Sequence, residues 1–330
     1  MNKYSFIIPV YNRGDELDEL LETLVTQSYK HFDIVVVDDG SDRPCSNIVD
    51  KYSDKLSIKY IYQDNTGPGM ARNRALEHSN SEWFIFLDSD CLIPNDYLEI
   101  VNQHITLSNF DCFGGPDKAH KDFNTIQKSI GYAMSSNLTT GGIRGGKENL
   151  DKFYPRSFNL GVKREVFKKI GGFSEMRFGE DLDFSMRLLS AGYTTKLLKD
   201  AFVYHKRRNT FKSFFKQVFN SGVARINLEY RHPKTLKFVH TLPSLFVLGN
   251  IFLLIISFFD PDMALLFPFI WGVIFFDALL HIREIRTAFY AIIATYTQLF
   301  GYGLGFLFSS WKRIILRQEE FHSFKKNFYK

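Results

Sequence analysis

Asp88, Ser89 and Asp90 close the apolar run Trp83 to Leu87, placing two carboxylates at the end of a strand-like segment. In an extended segment alternate side chains share a face, so Asp88 and Asp90 project together while Ser89 points away. Carboxylates held that way repel and raise each other's pKa unless a cation lies between them. Hard oxygen ligands of this kind suit Mg2+ or Mn2+ bridging a diphosphate. A second acidic pair, Glu180 and Asp181, stands where a helix starts, with Phe184 and Leu188 on one face and Gly192 as the expected C-cap. Acids in a first turn also complement the helix dipole, so this pair reads either as chemistry or as helix electrostatics. His205 ends the strand-like run Val203 to His205; a lone histidine is more often structural, but imidazole suits Mn2+. Asp39, in Val37-Asp38-Asp39-Gly40-Ser41, can accept from N3–H of a uracil or thymine ring, with Pro9 and Tyr11 as an apolar and aromatic wall. Taken alone, D-G-S reads more readily as a turn that caps the next helix.

Side chains so far apart in the chain need a scaffold that gathers them. Tyr4 to Pro9 is a continuous apolar run, and Asp15 to Gln27 follows with Leu17, Leu20, Leu21, Leu24 and Val25 at helical spacing. The pattern repeats through Asp33 to Val37, a turn and helix, Ile58 to Tyr62, a helix from about Gly69 to His78, and Trp83 to Leu87. Doubly buried strands separated by helices predict an α/β domain with a mostly parallel sheet. Ligands of such sheets sit beyond the carboxyl ends of the strands, where Tyr11, Asp38 and Asp39, and Asp88 to Asp90 all fall.

The 330 residues, 45% hydrophobic and 23% charged, exclude a disordered or collagen-like chain. An excess of 41 Lys and Arg over 36 Asp and Glu, +5 in all, does not argue for nucleic acid. Its placement says more: Val203 to His240 holds nine Lys or Arg and one acid, directly before the longest apolar stretches. Cys45, Cys91 and Cys112 show neither disulfide nor zinc spacing, so a reducing cytosol is expected, and the N-terminus lacks the h-region of a signal peptide. Thr210 to Leu228 is basic and aromatic, as an interfacial amphipathic helix would be, or a helix packed on a core. Apolar spans follow at Phe238 to Phe259, Met263 to Phe276 with Asp277 interrupting, and Thr287 to Trp311. Lys/Arg flanks orient the first two as an in-out-in hairpin, and the third is expected to be re-entrant or interfacial, with Gly301, Gly303 and Gly305 as a break. The expected division is therefore an α/β domain over 1–205, a basic interfacial segment over 206–237, two to three apolar membrane segments over 238–311 and a basic tail over 312–330.

Pro9 to Arg13, Val36 to Ser41, Gly67 to Leu76 (GPGMARNRAL), Phe86 to Cys91, Asn159 to Phe173 (NLGVKREVFKKIGGF) and Gly179 to Phe184 occur in one order over about the first 205 residues. In that combination the chain resembles a family 2 glycosyltransferase of the GT-A fold. The resemblance implies that Asp39 binds the nucleobase, with Pro9 and Tyr11 beside it, and that Arg72 lies near the nucleotide. Asp88 would contact ribose or diphosphate, with Ser89 counted among the nucleotide-binding candidates, and Asp90 would ligate the metal, Mg2+ or Mn2+. Asp181 would be the general base, with Glu180 beside it, and His205 is similar to an extra metal-binding histidine of some relatives. The membrane segments resemble those of relatives that build bacterial surface polysaccharides.

The implied reaction is an inverting in-line displacement. Asp181 takes the proton of an acceptor hydroxyl as that oxygen attacks the anomeric carbon of a nucleotide-diphosphate sugar, a UDP-sugar being favoured. A carboxylate is too weak to ionise a sugar hydroxyl beforehand, so its placement matters more than its pKa. The expected acceptor is a lipid-linked saccharide, polyprenyl phosphate or polysaccharide at the cytosolic face of the inner membrane, with membrane lipids as partners and no nucleic acid. Gly141 to Lys147 (GGIRGGK) matches a phosphate-loop pattern, but Glu148 replaces the metal-holding Ser/Thr and no buried strand precedes it. Thr139 to Glu148 reads instead as a mobile loop over the acceptor site. Two other functions compete. A sugar-1-phosphate nucleotidyltransferase would carry a Gly-rich basic loop near the first strand, and a non-catalytic sugar-nucleotide binding protein would not require Asp181.

Overall fold

In β1 (Tyr4–Val10) successive side chains turn to opposite faces of a sheet. Tyr4, Phe6, Ile8 and Val10 join one apolar core and Ile7 joins the other. The computed structural model describes residues 3–118, 120, 122–140, 153–321 and 323. These fall into two compact units, one within 1–120 and 148–206, the other within 121–147 and 207–330.

The first unit continues with α1 (Gly14–Val25), β2 (Phe32–Asp38), α2 (Ser46–Asp50), β3 (Ile58–Tyr62), α3 (Pro68–Ala75) and β4 (Trp83–Leu87). Next come β5 (Cys91–Leu92), α4 (Tyr97–Leu107), β6 (Cys112–Gly114) and β7 (Asp117–Lys118). After the excursion of α5 (Thr125–Ser135) and α6 (Asn137–Thr140) into the second unit, β8 (Asn159–Lys163), α7 (Arg164–Ile170), α8 (Glu180–Ser190), β9 (Thr195–Leu197) and β10 (Val203–His205) complete it. The main sheet has the order β3-β2-β1-β4-β8-β6-β9. Its pairs are parallel except where β8 meets β4 and β6. Leu17, Leu20, Leu21 and Leu24 of α1 pack on one face; Ala71, Ala75, Val166, Phe167 and Phe184 cover the other. The α/β reading with a mostly parallel sheet is thus the observed architecture. A small sheet, β5-β10-β7, lies at the strand ends and pairs His205 with Cys91.

The second unit is helical: α5, α6, α9 (Phe211–Arg231), α10 (Leu242–Ile256), α11 (Leu266–Ile282) and α12 (Ile285–Ser310). The expected break at Gly301, Gly303 and Gly305 is absent, since α12 runs unbroken through all three. Their role is close approach: a Cβ on Gly305 would stand 2.1 Å from Phe219 O, and one on Gly303 would stand 2.5 Å from Pro243 O. Backbones that near tolerate only glycine, so the stretch is a packing seam for α9 and α10 rather than a hinge. Along α9, Phe214 and Val218 pack with Ile130, Ala133 and Met134 of α5 and Ala294 of α12. Asp277 stays within α11, where its carboxylate accepts from Tyr132 Oη at 2.5 Å. Two helices, Pro261–Ile282 and Ile285–Ile315, are long and apolar enough to cross a bilayer, whereas Leu242–Ile256 is shorter. Gly141 to Glu148, which includes the phosphate-loop look-alike and most of the expected loop, lies outside the described residues, as do 324–330 of the tail.

Candidate active site

The segment after β4 is not extended. Asp88 to Asp90 turn, and the Cys91 N–H donates to Asp88 O at 3.0 Å. The shared-face argument for Asp88 and Asp90 therefore gives way to a turn, because the chain must double back into β5 to pair with β10. That pairing still gathers the expected donors. His205 Nε2 stands 3.0 Å from Asp90 Oδ1 and 3.8 Å from Asp88 Oδ2. The other oxygen of each acid is held by an arginine: Asp90 Oδ2 accepts from Arg13 Nη1 and Asp88 Oδ1 from Arg72 Nη2, both at 2.6 Å. The His205 ring stacks on Phe158, with centroids 5.0 Å apart, which fixes the plane of the imidazole. Asp90 Oδ1 and, further off, Asp88 Oδ2 face the imidazole nitrogen, and carboxylate and imidazole donors of this kind fit Mg2+ or Mn2+. Asp90, Cys91 and His205 bring ligand atoms within 4.8 Å of one another. The buried Cys91 thiol donates to Phe158 O and is pushed up by burial, so it is the poorest of the three as a ligand. Ser89 is buried beside them.

The Asp38-Asp39 pair divides its work. Asp38 builds the turn, accepting from the Ser41 and Cys45 N–H groups and from Tyr60 Oη. Asp39 reaches instead to the loop before α3. Its Oδ1 accepts from Gln63 Nε2, Thr66 N–H and Thr66 Oγ1, whereas Oδ2 accepts only from the Gly67 N–H at 2.8 Å. A carboxylate oxygen has about two lone-pair positions, so Oδ2 is where Asp39 retains capacity for a further donor. Pro9 is buried and Tyr11 half-buried at the adjacent end of β1. Asn12 reaches from β1 to Asp42, each side chain or backbone meeting the other's, which ties the two strand ends together.

Gly67, at φ +98°, and Pro68 in the first turn start α3 under the Asp39 carboxylate. Asn73 locks the helix to the turn after α7, donating to Phe173 O and accepting from the Phe173 N–H. Gly69 lies against α8, where a Cβ would stand 3.1 Å from Glu180 Cγ. This docking puts Arg72, its side chain 3% exposed, between the two acidic pairs: Nη2 on Asp88 and Nη1 on Glu180 Oε1 at 3.1 Å. The strand-end pair and the helix-start pair are thereby bridged by one guanidinium.

At the start of α8 the dipole reading suits Asp183, which pairs with Arg187 four residues on. Glu180 and Asp181 pair outside their own helix. Asp181 Oδ2 accepts from Arg156 Nε at 2.7 Å, and its Oδ1 from the Leu182 N–H. Burial and then the neighbouring Asp181 charge push Glu180 up to about 7, against the pull of Arg72. Burial would raise Asp181 too, but Arg156 and, beyond it, Arg72 outweigh it and hold that carboxyl below its ordinary range. The residues singled out from the sequence thus lie at the ends of β1, β2 and β4, on α3, at the start of α8 and, for His205, on β10 of the small sheet. Arg13 and Arg156 are the participants that sequence reasoning missed. Arg13 stood inside a recognised segment, whereas Arg156 carried no local signal.

Against known proteins, residues 5–171 match the profile described as glycosyl transferase family 2. Among curated relatives, the chain is 28% identical over 232 residues to "Glycosyltransferase AglE" of Haloferax volcanii, covering 68% of this chain and 73% of that one. It is 39% identical over 103 residues to "Poly(ribitol-phosphate) beta-N-acetylglucosaminyltransferase TarS" of Staphylococcus aureus, 30% of this chain and 18% of that protein. Two Rickettsia glycosyltransferases at 36% identity are matched over only 18% and 23% of their length. Among solved structures, the mannosyltransferase PcManGT of Pyrobaculum calidifontis, in complex with GDP-Man and Mn2+, has TM-score 0.65 at 17% identity, over 91% of this chain and 87% of its own. Likeness at that identity establishes the GT-A fold.

Proposed function

The chain belongs to glycosyl transferase family 2, and from that premise we propose that it transfers a sugar from a nucleotide-diphosphate sugar with inversion at the anomeric carbon. The observation that carries the reading is Arg72, which joins the Asp88-Asp90 turn to the Glu180-Asp181 helix start within one site. The first pair suits a diphosphate and the second suits a hydroxyl nucleophile. Asp39 accepts an N–H of the nucleobase through Oδ2, beside Pro9 and Tyr11, and a uracil base is favoured; Ser89 and Asp88 border the ribose and diphosphate. Arg72, Asp88 and Asp90 orient the donor end, with His205 as the further ligand. Held by Asp88, Asp90 and His205, a divalent cation, Mg2+ or Mn2+, supplies positive charge against the departing diphosphate. Asp181 takes the proton from the acceptor hydroxyl as the oxygen attacks.

The acceptor in this reading is lipid-linked or polymeric, met at the cytosolic face of the inner membrane. Its support is the second unit, whose α10, α11 and the turn between them expose Phe252, Phe258, Phe259 and Phe269, apolar side chains that suit contact with lipid. The basic run Lys206 to Lys237 precedes them and suits anionic headgroups. TarS, by its name, transfers N-acetylglucosamine to poly(ribitol-phosphate), which accords with a polymeric acceptor. The test is nucleoside diphosphate release from a panel of nucleotide sugars with Mn2+, with and without membrane lipid extract. Acceptor-dependent release is expected; pyrophosphate release from sugar-1-phosphate and nucleoside triphosphate would indicate a nucleotidyltransferase, and binding without turnover a binding protein.

A further inference from the structure

Arg156 enters the site from a stretch of backbone anchored on both sides. Pro155 O accepts from Ser185 Oγ of α8 at 2.7 Å, Phe153 O accepts from Thr195 Oγ1 of β9 at 2.8 Å, and Arg156 O closes a turn with the Asn159 N–H. The guanidinium is presented to α8 at a fixed height, and its Nε–H meets Asp181 Oδ2 at 2.7 Å. With the Leu182 N–H on Oδ1, both oxygens of Asp181 are fixed, so the carboxylate plane cannot rotate without breaking one bond. Glu180, the adjacent acid, is held by a different arginine from a different element, Arg72 of α3.

We propose that Arg156 is the positioning residue of the base: it fixes the orientation of the Asp181 carboxylate and sets beside Asp181, rather than Glu180, a guanidinium of its own. This rests on the reading of Asp181 as the acceptor's proton acceptor. Two buried carboxylates side by side cannot both stay ionised at low cost, and their roles separate only if their surroundings differ. Here they differ by one guanidinium each. Arg72 divides its charge between Asp88 and Glu180, whereas Arg156 makes its one ion pair with Asp181. The groups acting on Asp181 are Arg156 from the segment before β8, Arg72 from α3 and Glu180 from α8 itself; Asp117 of β7 acts on Arg156 from the far side. Without Arg156, burial and the Glu180 charge remain, and both drive Asp181 towards its protonated, inert form.

The experiment compares wild type, Arg156→Gln and Arg156→Lys in the full-length chain. It measures nucleoside diphosphate release from the best nucleotide sugar of a Mn2+ panel, with water as the acceptor so that none need be identified. An opposite charge at this range lowers a carboxyl by about 1–3 units, so Arg156→Gln should move the acid limb of the rate profile up by about that much. The rate on the plateau above that limb should fall as well, by about ten- to a hundredfold, because the carboxylate loses its fixed orientation, a fraction of what complete loss of a general base costs. Arg156→Lys should return the limb most of the way while recovering the rate only in part, because a flexible ammonium restores charge but not orientation. Calorimetric affinity for UDP should be unchanged in both variants. An Arg156→Gln profile whose acid limb stays at the wild-type pH overturns the inference, as does a loss of UDP affinity with an unmoved limb. A wild type that releases no nucleoside diphosphate from any sugar of the panel, either with water or with membrane lipid extract as the acceptor, overturns the glycosyltransferase reading and this inference with it.

Discussion

Replacing Glu180 by Gln should stabilise the protein in alkaline solution and leave it nearly unchanged in acid. Glu180 is 7% exposed, and its carboxyl is raised from 4.5 to about 7 by burial and the adjacent Asp181 charge. Folding therefore takes up a proton between pH 4.5 and about 7. Stability must fall as the pH rises through that window, because the folded chain resists losing a proton that the unfolded chain gives up readily. Each pKa unit corresponds to 1.36 kcal/mol, so ionised Glu180 costs on the order of 3 kcal/mol above pH 7. Glutamine keeps the shape and can still accept from Arg72 but never pays that cost. For a folded unit of this size the difference corresponds to a melting temperature higher by about 6–12 °C at pH 8.5, shrinking towards zero at pH 4.5. Melting of both proteins across that range, in EDTA so that no cation alters the balance, measures it. A difference independent of pH would trace the effect to packing, and destabilisation at pH 8.5 would mean that Arg72 outweighs burial; either result refutes the electrostatic account.

Asp181→Asn should bind the donor with wild-type affinity, while transfer falls by about 10² to 10⁴-fold, the usual worth of a general base; near-normal turnover would remove Asp181 from that role. EDTA should abolish transfer, and Asp90→Ala and His205→Ala should each weaken Mn2+ binding measured by calorimetry, His205→Ala less so; unchanged Mn2+ affinity in His205→Ala would return that histidine to a structural role. Gly305→Ala should destabilise the helical unit by about 1–3 kcal/mol, since its methyl would meet Phe219 O and force α9 and α12 apart; an unshifted melting temperature would contradict the seam.

The central strands were legible because they are buried on both faces and so read as uninterrupted apolar runs, as Trp83–Leu87 does. Ile58–Tyr62, a half-exposed edge strand, was legible from its run of β-formers Ile58, Tyr60, Ile61 and Tyr62. The antiparallel insertion of β8 was not legible, because Asn159–Lys163 has no periodicity that distinguishes its direction. Gly301, Gly303 and Gly305 misled for a related reason. Glycine lowers helix propensity whatever surrounds it, but α12 is held by neighbours whose approach requires glycine, and a single chain's pattern does not reveal those neighbours. Asp88 and Asp90 were located correctly by an argument that the turn at Asp88 to Asp90 replaces, since what gathers them is the pairing of β5 with His205 on β10.

Arg13 and Arg156 were the hidden part of the site, and the charge balance the arginines leave favours the proposed cation. A carboxylate cluster advertises itself by local spacing, whereas a guanidinium reaches its partner from 77 residues away in Arg13 with Asp90 and 108 in Arg72 with Glu180. Around the two acidic clusters, three guanidinium groups pair with five carboxylates: Arg13 with Glu16 and Asp90, Arg72 with Asp88 and Glu180, Arg156 with Asp181. The formal charge of the paired set is 3 − 4 = −1 with Glu180 protonated and 3 − 5 = −2 with it ionised. A nucleoside diphosphate brought to this set meets repulsion that the arginines cannot relieve, because each is already committed to an acid. A divalent cation held by Asp88, Asp90 and His205 would offset that charge. The dependence on a divalent cation is therefore expected to lie in donor binding as well as in turnover. Calorimetry of UDP with and without Mn2+ distinguishes this from a purely kinetic role: equal affinity in both would confine the cation to the chemical step.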